Sequence, residues 1–544
     1  MAAAPIQPLR WETHYGGRRV RCFADRPSTL DAMFLAGVVR GPENMAIICG
    51  PERLSYRQLA HSVEMTAANL AHRGLNKGDR LALLLGNGVP FIISMLAAAR
   101  LGLLLVPLNQ RQRAPEIQFV LNDSIARMMI VDAELLANLP RRQDIPALET
   151  LFVVGDSSSS HERFASLLCE HPSPPAAELD EEDGFCVLYT SGTTGRPKGA
   201  ILTHLGVIHS VLHYQCGMDL GSHEVSVLAV PASHVTGLVA ILLTMLGTGG
   251  CTVLMKAFKA RDFLRLAALE RMTHALLVPA MYNLCLLEDD FLTHDLSAWR
   301  IGGFGGAPMP ERTIEQLAAK LPHLSLVNVY GATETTSPVT LLRPGEARDH
   351  IDTVGRALPC ADLKIVDEHG VAVARGVMGE LWVAGPMVIP GYWRNDAATA
   401  ESFVEGYWRS GDIGSMDAGG YVRINDRKKD VINRGGYKIY SIEVENVLMA
   451  HGDVTECAIV GRPDPILGER VHAFIVPQRN GCNLQALREF CGREMSDYKI
   501  PETFTLLDEP LPRNANGKVL KSMLRHRLEI AGPNGLRQTA GAKA

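Results

Sequence analysis

Excess charge, closely spaced cysteine pairs and long unbroken apolar runs are all missing from this sequence. The net charge is only −5 over 544 residues, so the composition gives no polyanion-binding surface and nucleic acid is not an expected partner. None of the eleven cysteines stands in a C-x-x-C pair, which argues against a disulfide framework and a zinc site. The dispersed cysteines instead predict reduced thiols and a cytoplasmic location.

The two most apolar stretches are too broken or too short to cross a membrane. Residues 91–108 are interrupted by Arg100 and Gly102, and residues 235–246 offer only about a dozen positions where a spanning helix needs about 20. Residues 1–17 hold no long apolar run, which argues against a secretory signal. We expect no integral membrane segment, and peripheral membrane contact stays open.

The order of segments along the chain is typical of an α/β protein. Short apolar strands alternate with amphipathic segments over residues 45–135 and again over residues 224–282. This alternation predicts βαβ units, mostly parallel sheets and two stacked subdomains. Residues 351–425 change to short strands with glycine-rich turns, which predicts a small β-barrel-like subdomain.

A charged run at residues 426–430 marks the sharpest candidate boundary. Taken alone it is a solvated turn, but the residues beyond it predict a compact α+β domain. We therefore expect a large N-terminal domain over residues 1–425, a hinge at 426–430, a small C-terminal domain over 431–531 and a disordered tail over 532–544.

Residues 189–199, Tyr-Thr-Ser-Gly-Thr-Thr-Gly-Arg-Pro-Lys-Gly, form the most informative stretch. Hydroxyls and free backbone amides on a glycine-loosened loop can wrap phosphate oxygens, and Lys198 adds a positive charge. A strand over 185–189 and a helix opening at 200–205 are expected on either side, so that the loop points at a helix N-terminus. The spacing is not that of a Walker loop, because Lys198 is followed by Gly199. A plain surface connection is the ordinary alternative.

Three further motifs follow this loop in order. They are Tyr-Gly-Ala-Thr-Glu at 330–334, Trp-Arg-Ser-Gly-Asp at 408–412 and Pro-Arg-Asn-Ala-Asn-Gly-Lys at 512–518. Together with the loop, they resemble the acyl-adenylate-forming superfamily, and within it the AMP-forming acyl-CoA synthetases. The resemblance covers nearly the whole chain, from residue 54 to residue 518.

This resemblance implies a ligase that works in two steps. A carboxylate attacks the α-phosphorus of ATP, pyrophosphate leaves and an acyl-AMP forms, after which the thiol of coenzyme A takes the acyl group. The implied requirements are ATP, Mg²⁺, coenzyme A and a small carboxylic acid. Negative charge develops at phosphorus, so the catalysts should be cations and hydrogen-bond donors rather than a general base.

The resemblance also assigns a nucleotide site. Asp412 is expected to bind the ribose hydroxyls, Arg427 the ribose and phosphate, and Thr333 the α-phosphate. Tyr330 is expected to stack on adenine, although a core tyrosine is a serious rival interpretation. The full nucleotide set is Ser191, Gly192, Thr193, Thr194, Gly195, Lys198, Gly305, Gly306, Ala307, Asn328, Tyr330, Gly331, Thr333, Asp412, Arg427 and Lys518.

Four residues are implied in catalysis: Lys518, Thr193, Glu334 and His234. Lys518 is expected to bridge the attacking carboxylate and the α-phosphate, so that Lys518→Ala should abolish acid-dependent pyrophosphate release and largely spare thioester formation from supplied acyl-AMP. Glu334 is the expected magnesium ligand. It follows the predicted strand 326–330, and the carboxyl end of a parallel strand is a favoured place for a ligand site.

The resemblance makes the C-terminal domain mobile. Lys518 lies on the small domain and the phosphate loop on the large one, so the site should assemble by domain rotation. Lys429 matches the hinge position, and Gly435 and Gly436 match the strand that lines the pantetheine tunnel. The family often has proline where Ser441 stands, a departure expected to affect local stiffness and not the chemistry.

The acyl pocket is expected to be apolar. It is assigned to His234, Val235, Leu238, Phe304 and Gly331, with a core role as the alternative for His234. Val235 stands where amino-acid-activating relatives carry an aspartate, and Gly331 where acetate-activating relatives carry a tryptophan. We therefore expect a neutral medium- or long-chain, aromatic or alicyclic acid.

Three other functions stay open at this point. The acyl-AMP could be transferred to a carrier-protein pantetheine, the chain could be a non-catalytic nucleotide-binding relative, or it could be an oxygenase like luciferase. Intact Lys518, Glu334 and Asp412 argue against the non-catalytic alternative. The oligomeric state is also left open, with a homodimer among the options.

Overall fold

The computed structural model describes residues 7–156, 161–173, 177–190, 197–346, 349–478, 481–514 and 519–531. Contacts between Cα atoms divide the chain into two compact units. The first comprises Met1–Lys364 and Trp382–Arg409, and the second Ile365–Leu381 and Ser410–Ala544. Both contain helices and strands, as the predicted α/β class requires. The domain limits and the hinge expected at 426–430 stay predictions.

The first unit contains most of the secondary structure. Its strands are Leu9–His14, Arg18–Phe23, Met45–Cys49, Glu52–Ser55, Arg80–Leu84, Leu104–Pro107, Met128–Asp132, Thr150–Val154, Glu162–Arg163, Gly184–Thr190, Lys198–Thr203, Val225–Leu228, Cys251–Leu254, His274–Leu277, Ile301–Gly305, Ser325–Tyr330, Thr340–Leu341, Arg356–Ala357 and Phe403–Val404. Its α-helices are Leu30–Arg40, Tyr56–His72, Val89–Leu101, Ala114–Ser124, His204–Met218, Thr244–Thr248, Ala260–Leu269, Pro279–Leu286, Glu311–Lys320 and Asp396–Ser402. A π-helix spans Thr236–Leu243, and 3₁₀ turns span Ala133–Asn138, Arg142–Asp144, Phe164–Leu168, Phe291–Thr293 and Thr333–Thr335.

A seven-stranded sheet forms the core of the first half of this unit. In spatial order its strands are Lys198–Thr203, Gly184–Thr190, Leu104–Pro107, Arg80–Leu84, Met128–Asp132, Thr150–Val154 and Glu162–Arg163. All neighbours are parallel except the first two, which are antiparallel. The parallel sheet expected for residues 45–135 is present, and the buried helix Val89–Leu101 runs through Gly102 (φ 69°) toward the strand Leu104–Pro107.

A nine-stranded sheet forms the second half. Its order is Arg356–Ala357, Thr340–Leu341, Ser325–Tyr330, Ile301–Gly305, His274–Leu277, Val225–Leu228, Cys251–Leu254, Met45–Cys49 and Glu52–Ser55. The six strands from Ser325–Tyr330 to Met45–Cys49 are parallel. Met45–Cys49 and Glu52–Ser55 therefore pair with the second block of the sequence and not with the first, where the rhythm placed them.

The segment after the phosphate loop differs from the prediction. Of residues 200–205, expected to open a helix, the first four belong to the strand Lys198–Thr203, which returns antiparallel to Gly184–Thr190, and the helix begins at His204. Gly199 faces Tyr189 in this pairing, and a Cβ at Gly199 would lie 2.6 Å from Val187 Cγ1. Close strand packing thus replaces the expected helix N-terminus behind the loop.

The second unit is a smaller α+β body. Its strands are Val422–Arg427, Ile432–Arg434, Tyr437–Ile439, Val454–Asp464, Gly468–Pro477 and Thr503–Leu506, and its helices are Ser441–Met449, Leu484–Glu494 and Lys521–Ala531, with a 3₁₀ turn at Asp497–Lys499. Three strands, Asp362–Val366, Gly379–Ala384 and Tyr407–Met416, contain the points where the chain passes from one unit to the other. The helices and strands expected beyond residue 441 are found.

The cysteines and the helices bear on two questions, disulfide bonding and membrane crossing. Each of the eleven cysteines lies within the described ranges and is free. In the described part of the chain, no helix combines the length and the apolar character needed to cross a bilayer.

Candidate functional site

The predicted site segments of the first unit meet at one edge of the nine-stranded sheet. Val225–Leu228, Ile301–Gly305 and Ser325–Tyr330 all run in the same direction. Their carboxyl ends therefore deliver three connections to this edge, and it is here that parallel sheets present ligand sites. His234, Gly306, Ala307, Gly331, Thr333 and Glu334 all lie on these connections.

Two glycines shape the predicted adenine loop. Gly305 pairs with Val329, and a Cβ at Gly305 would lie 2.4 Å from the Val329 carbonyl oxygen. Only glycine fits there without moving the strands. Gly306 has φ 78°, and both it and Ala307 are exposed. This leaves a flat, accessible strip of backbone, which suits the face of a planar ring.

The neighbouring strand carries two further predicted nucleotide residues. Asn328 faces Phe304 across the parallel pair, and its Nδ2 donates to the Thr353 carbonyl at 3.0 Å. Phe304 is buried, while Tyr330 at the strand end is half-buried. The adenine role of Tyr330 stays a prediction, and the amide of Asn328 holds the chain around residue 353.

A strained turn follows this strand. After the 3₁₀ turn Thr333–Thr335, both Thr336 (φ 52°) and Ser337 (φ 44°) adopt the left-handed conformation. This is costly for a β-branched residue. Ser337 N donates to the Ala332 carbonyl at 3.0 Å, and Ser337 Oγ lies 2.7 Å from Tyr214 Oη. Such anchored strain is typical of functional turns, and here it fixes the backbone on either side of Glu334.

Glu334 and Lys198 are brought together by a residue that the sequence did not predict. The hydroxyl of Tyr392 donates to Glu334 Oε1 at 3.0 Å, and Lys198 Nζ lies 5.1 Å from the centre of the Tyr392 ring. The Lys198 strand is joined to the same segment, because Trp393 N donates to the Gly199 carbonyl at 2.7 Å. The expected metal ligand and phosphate lysine thus share one aromatic support.

Tyr392 is itself held firmly. Only 6% of it is exposed, its amide donates to Thr399 Oγ1 at 2.9 Å, and it forms a β-bridge with Ala200. Burial and the carboxylate of Glu334 raise the pKa of its phenol, so the hydroxyl stays protonated and donates. Sequence spacing gave no signal for this residue, because it lies 58 positions from Glu334.

The phosphate loop itself is only partly described. Ser191, Gly192, Thr193, Thr194 and Gly195 lie outside the described residues, as does Lys518. The described flanks show where the loop begins and ends: Thr190 and Lys198 are direct partners across the antiparallel pair. The roles given to the undescribed residues stay predictions.

His234 lies at the start of the expected acyl pocket. Burial lowers the pKa of its imidazole to about 4, so the ring is neutral near pH 7. Its Nδ1 accepts from Thr236 N at 3.3 Å and lies 3.2 Å from Thr236 Oγ1. With Nδ1 accepting, the neutral ring carries its proton on Nε2, which can donate to a ligand carboxylate.

A π-helix continues from His234. It spans Thr236–Leu243 and runs directly into the helix Thr244–Thr248. At its start a Cβ on Gly237 would lie 2.2 Å from the Pro231 carbonyl oxygen, so glycine allows the tight entry. Val235 and Leu238, both predicted for the pocket, are buried. π-helical segments are rare and concentrate at functional sites.

Asn87 fixes the connection that carries His234, and sequence analysis missed it too. Its Nδ2 donates to the carbonyls of Leu228, Val230 and Met255 at 3.0 to 3.3 Å. Its Oδ1 accepts from Ala232 N at 2.9 Å. A buried asparagine satisfied in this way is costly to replace, and it locks the end of one strand to the next.

In the second unit, Asp412 and Arg427 form an ion pair. Arg427 Nε lies 2.6 Å from Asp412 Oδ1, and Asp412 N donates to Ser410 Oγ at 2.9 Å. Beside them Lys428 Nζ contacts Glu380 Oε2 at 3.0 Å. The two residues predicted for ribose are therefore already joined to each other.

The predicted hinge segment is tied to the second unit by its acidic residues. Asp426 accepts from Arg427 N at 2.7 Å and also from Ser441 N. Arg525 contacts Asp430 Oδ1 at 2.6 Å and the Lys429 carbonyl at 3.4 Å. Ser441 thus holds one end of the run through Asp426, and Arg525 holds the other end through Asp430. The Lys429 side chain is exposed.

The predicted tunnel glycines are explained by backbone conformation. Gly435 has φ 58° and Gly436 φ 90°, which L-residues rarely adopt. Among the described residues, no heavy atom lies within 4 Å of a Cβ built on Gly436. Gly435 N donates to the Leu467 carbonyl at 2.7 Å. The turn, rather than crowding within this unit, requires glycine here.

The donors around Glu334 suit magnesium. Mg²⁺ prefers oxygen ligands and is usually held by one or two carboxylates together with substrate phosphates. Glu334 supplies a carboxylate at the sheet edge, and its one described side-chain contact is with a neutral hydroxyl. Within the described residues the chemistry of the site therefore fits the expected ion.

Comparison with known proteins shows the family of the chain. The family model of the AMP-binding enzyme matches residues 35–393, and that of the AMP-binding enzyme C-terminal domain matches residues 443–518. The long-chain-fatty-acid–CoA ligase FadD13 of Mycobacterium tuberculosis is 33% identical over 484 residues, covering 88% of this chain and 94% of the relative. The indoleacetate–CoA ligase of Aromatoleum aromaticum is 34% identical over 483 residues, covering 87% and 93%.

A solved structure supports the fold. The O-succinylbenzoate coenzyme A synthetase MenE from Bacillus subtilis, in complex with ATP and magnesium ion, superposes with a TM-score of 0.81. It is 27% identical and covers 91% of this chain and 99% of its own. The predicted α/β fold class, with a large N-terminal and a small C-terminal domain, is confirmed.

Proposed function

We propose that this chain, which belongs to the AMP-binding enzyme family and is an AMP-forming acid–thiol ligase, activates a neutral carboxylic acid with an apolar tail. The acid attacks the α-phosphorus of ATP, pyrophosphate leaves, and the acyl-AMP passes its acyl group to the thiol of coenzyme A. Each step conserves atoms: one P–O bond is exchanged for another, and then one C–O bond for a C–S bond.

The first unit supplies the groups that meet the adenine and the phosphates. We assign Tyr330 and the 305–307 backbone to adenine, Thr333 to the α-phosphate and Lys198 to the terminal phosphates. Glu334 would hold Mg²⁺, which supplies charge neutralisation at the phosphate oxygens when bound. These are cations and donors aimed at developing negative charge, as phosphoryl chemistry requires.

We assign Asp412 to the ribose hydroxyls. A buried carboxylate can accept hydrogen bonds from two hydroxyl groups, and Arg427 holds it in one orientation. The 2.6 Å contact between them supports this role, because a preformed acceptor loses little freedom when the ribose binds.

Neutral His234 orients the acid rather than activating it. A carboxylate needs no base to attack phosphorus, so a ring that cannot take a proton near pH 7 is suited to donating from Nε2. The lowered pKa of His234, about 4, supports this assignment.

The observation that carries the substrate assignment is the helical segment after His234. Every residue from 237 to 246 is buried and none is charged. A second carboxylate or an amine on the substrate would meet no partner along this segment, and burying it would cost several kcal/mol. Apolar tails gain from the same surface at about 0.8 kcal/mol per buried methylene.

An acid panel tests this proposal. Acid-dependent pyrophosphate release would be measured for straight-chain acids of graded length, an arylacetate, a dicarboxylate and an amino acid. We expect kcat/KM for the apolar acids to exceed that for the dicarboxylate by about 100-fold. Preference for the dicarboxylate or the amino acid would contradict the assignment, and absence of pyrophosphate release with every acid would contradict the ligase chemistry.

Lys518→Ala tests whether Lys518 acts in acyl-AMP formation and not in thioester formation. We expect it to abolish pyrophosphate release while thioester formation from supplied acyl-AMP continues. Equal loss of both half-reactions would contradict the role given to Lys518. The same assay, run with coenzyme A and with a pantetheinylated carrier protein, identifies the acceptor.

A further inference from the structure

The N-terminal hairpin reaches into the region that supports Glu334. Its strands are Leu9–His14 and Arg18–Phe23, and its turn places Tyr15 at φ 50°. From this turn two side chains leave the hairpin and contact chain segments more than 180 residues away. Nothing in the proposed chemistry uses either of them.

Arg18 binds one short piece of chain with both of its terminal nitrogens. Nη1 donates to the Ile389 carbonyl at 2.8 Å and Nη2 to the Pro390 carbonyl at 2.7 Å. The guanidinium also lies 5.6 Å from the ring of Tyr15 and 5.3 Å from the ring of Phe403. A planar fork between two aromatic rings is a rigid clamp on consecutive carbonyls.

The clamped segment is the one that holds Glu334. Ile389 N donates to the Glu334 carbonyl at 3.0 Å, and two residues after Pro390 the Tyr392 hydroxyl donates to Glu334 Oε1 at 3.0 Å. Ile389 thus accepts from Arg18 through its carbonyl and donates to Glu334 through its amide. A continuous series of hydrogen bonds and covalent bonds therefore links the Arg18 guanidinium to the Glu334 carboxylate.

Tyr15 braces the neighbouring strand at the same time. Its hydroxyl lies 2.6 Å from Thr203 Oγ1 and donates to the Pro386 carbonyl at 3.4 Å. Thr203 ends the strand that begins at Lys198 and caps the following helix through Gly206 N. The hairpin turn therefore touches both supports of the Glu334, Tyr392 and Lys198 cluster.

We propose that Arg18 is a positioning residue for the magnesium carboxylate, acting through the 389–392 segment on the orientation of Glu334. The inference rests on the proposed function, in which Glu334 holds the ion. A residue that holds a metal-ligating side chain fixes the orientation of that side chain and leaves its chemistry unchanged. Removing the clamp should loosen the segment, weaken metal-dependent nucleotide binding and leave the thioester step intact.

The experiment compares four variants of the full chain. Arg18→Met removes the fork and keeps the apolar stem, and Arg18→Lys restores one donor. Arg19→Met removes the same charge from the next position, which is exposed on the hairpin. Glu334→Gln gives the response of the assigned ligand itself.

The first measurement is hydrogen exchange in the ligand-free protein. We expect the amides of residues 387–389, 391 and 392 to exchange at least about tenfold faster in Arg18→Met, because local opening becomes easier. Arg18→Lys should lie between Arg18→Met and the unaltered chain, and Arg19→Met should match the unaltered chain. Unchanged exchange in Arg18→Met overturns the inference.

The second measurement is the Mg²⁺ dependence of ATP binding by calorimetry. We expect the half-saturating Mg²⁺ concentration to rise about tenfold in Arg18→Met and to change less than about twofold in Arg19→Met. Thioester formation from supplied acyl-AMP should change less than about twofold in both. If the half-saturating Mg²⁺ concentration rises in Glu334→Gln but not in Arg18→Met, the positioning role of Arg18 is contradicted and the metal assignment of Glu334 is not. If Glu334→Gln does not respond, the metal assignment falls and the inference with it.

Discussion

Arg427 Nε lies 2.6 Å from Asp412 Oδ1, and the two residues face each other directly across an antiparallel strand pair. Asp412 is 2% exposed, and the guanidinium of Arg427 holds its carboxylate. In the proposed role, the ribose would meet an acceptor that is already oriented.

Asp412→Asn should therefore impair nucleotide binding more than stability. The amide keeps the shape but halves the acceptor capacity and removes the ion pair, so we expect Kd for ATP to rise about 10- to 100-fold, the effect of losing 1.5–3 kcal/mol of charged hydrogen bonding. Calorimetric titration with ATP measures it. The exposed Asp508 gives the control, Asp508→Asn, and equal Kd values for the two variants would contradict the ribose role.

Tyr392→Phe tests the support shared by Glu334 and Lys198. The ring stays and only the hydroxyl bonded to Glu334 is lost, so we expect a modest stability loss of about 1 kcal/mol but a fall of about tenfold in kcat/KM for adenylation. Tyr407 makes a comparable bond, 2.5 Å to Asp362 Oδ2, so Tyr407→Phe is the matched control. A similar loss of activity in both variants would show that Tyr392 has no special role.

Gly305→Ala should spread the two central strands. A methyl group 2.4 Å from the Val329 carbonyl oxygen forces a backbone shift that costs about 1–3 kcal/mol, and it moves the strip assigned to adenine. We expect a lower Tm together with weakened ATP binding. Gly88 offers room for a methyl group, with its nearest neighbour, Pro90 Cδ, at 3.6 Å. Gly88→Ala should therefore leave ATP binding unchanged, and a normal Kd for ATP in Gly305→Ala would refute the assignment.

Buried histidines predict a loss of stability in acid. Burial lowers the pKa of His274 and His472 to about 4 and that of His209 to about 3, whereas an unfolded histidine titrates near 6.5. The unfolded chain then binds more protons between these values, so stability is full above about pH 6.5 and declines as the pH falls toward 4. Since one pKa unit corresponds to about 1.4 kcal/mol, the loss of stability in acid reaches about 3 kcal/mol for His274 and His472 and about 5 kcal/mol for His209.

The measurement is the unfolding midpoint at a series of pH values. We expect it to fall steadily from pH 7 to pH 5, and we expect His472→Gln to make the dependence shallower. The exposed His369 provides the control, because His369→Gln should leave the slope unchanged. A flat profile over this range would mean that the buried rings bind protons equally in the folded and the unfolded chain.

Local patterns predicted the strands and helices well, but not the pairing between distant ones. The strand Arg80–Leu84 and the helix Val89–Leu101 lie within residues 45–135, where alternating apolar and amphipathic segments predict such elements. Met45–Cys49 reads like its neighbours yet pairs with Cys251–Leu254, and residues 200–203 extend a strand because they face residues 184–188. Such choices depend on long-range packing, which overrides local propensity.

The candidate site shows the same difference between what local patterns predict and what long-range contacts decide. Motifs place Glu334, Asp412 and Lys198 because the chemistry dictates their residue types. Tyr392 and Asn87 contact the site segments through hydrogen bonds to residues 58 or more positions away, so spacing cannot indicate them. The π-helix was equally hidden, since an uninterrupted apolar run has no helical period to detect.

Gly331→Trp should shift the preferred acid toward shorter chains. Gly331 follows the strand Ser325–Tyr330 at the ligand edge of the sheet, and Phe304 and Leu238 are the apolar residues assigned to the same pocket. A Cβ at Gly331 would lie 3.1 Å from Pro338 Cα and 3.2 Å from Ser337 Cα, so an indole cannot turn toward that backbone and must project elsewhere. If it enters the pocket, it excludes long tails.

The informative quantity is the ratio of kcat/KM for a short acid to that for a long one. General damage from displacing the strained 336–337 turn lowers both values and leaves the ratio unchanged, whereas a shortened pocket raises the ratio by about 10-fold or more, since each excluded methylene forfeits about 0.8 kcal/mol. Gly331→Ala, which adds the crowded Cβ without the indole, isolates the backbone effect. An unchanged ratio in Gly331→Trp would place the acyl tail away from Gly331.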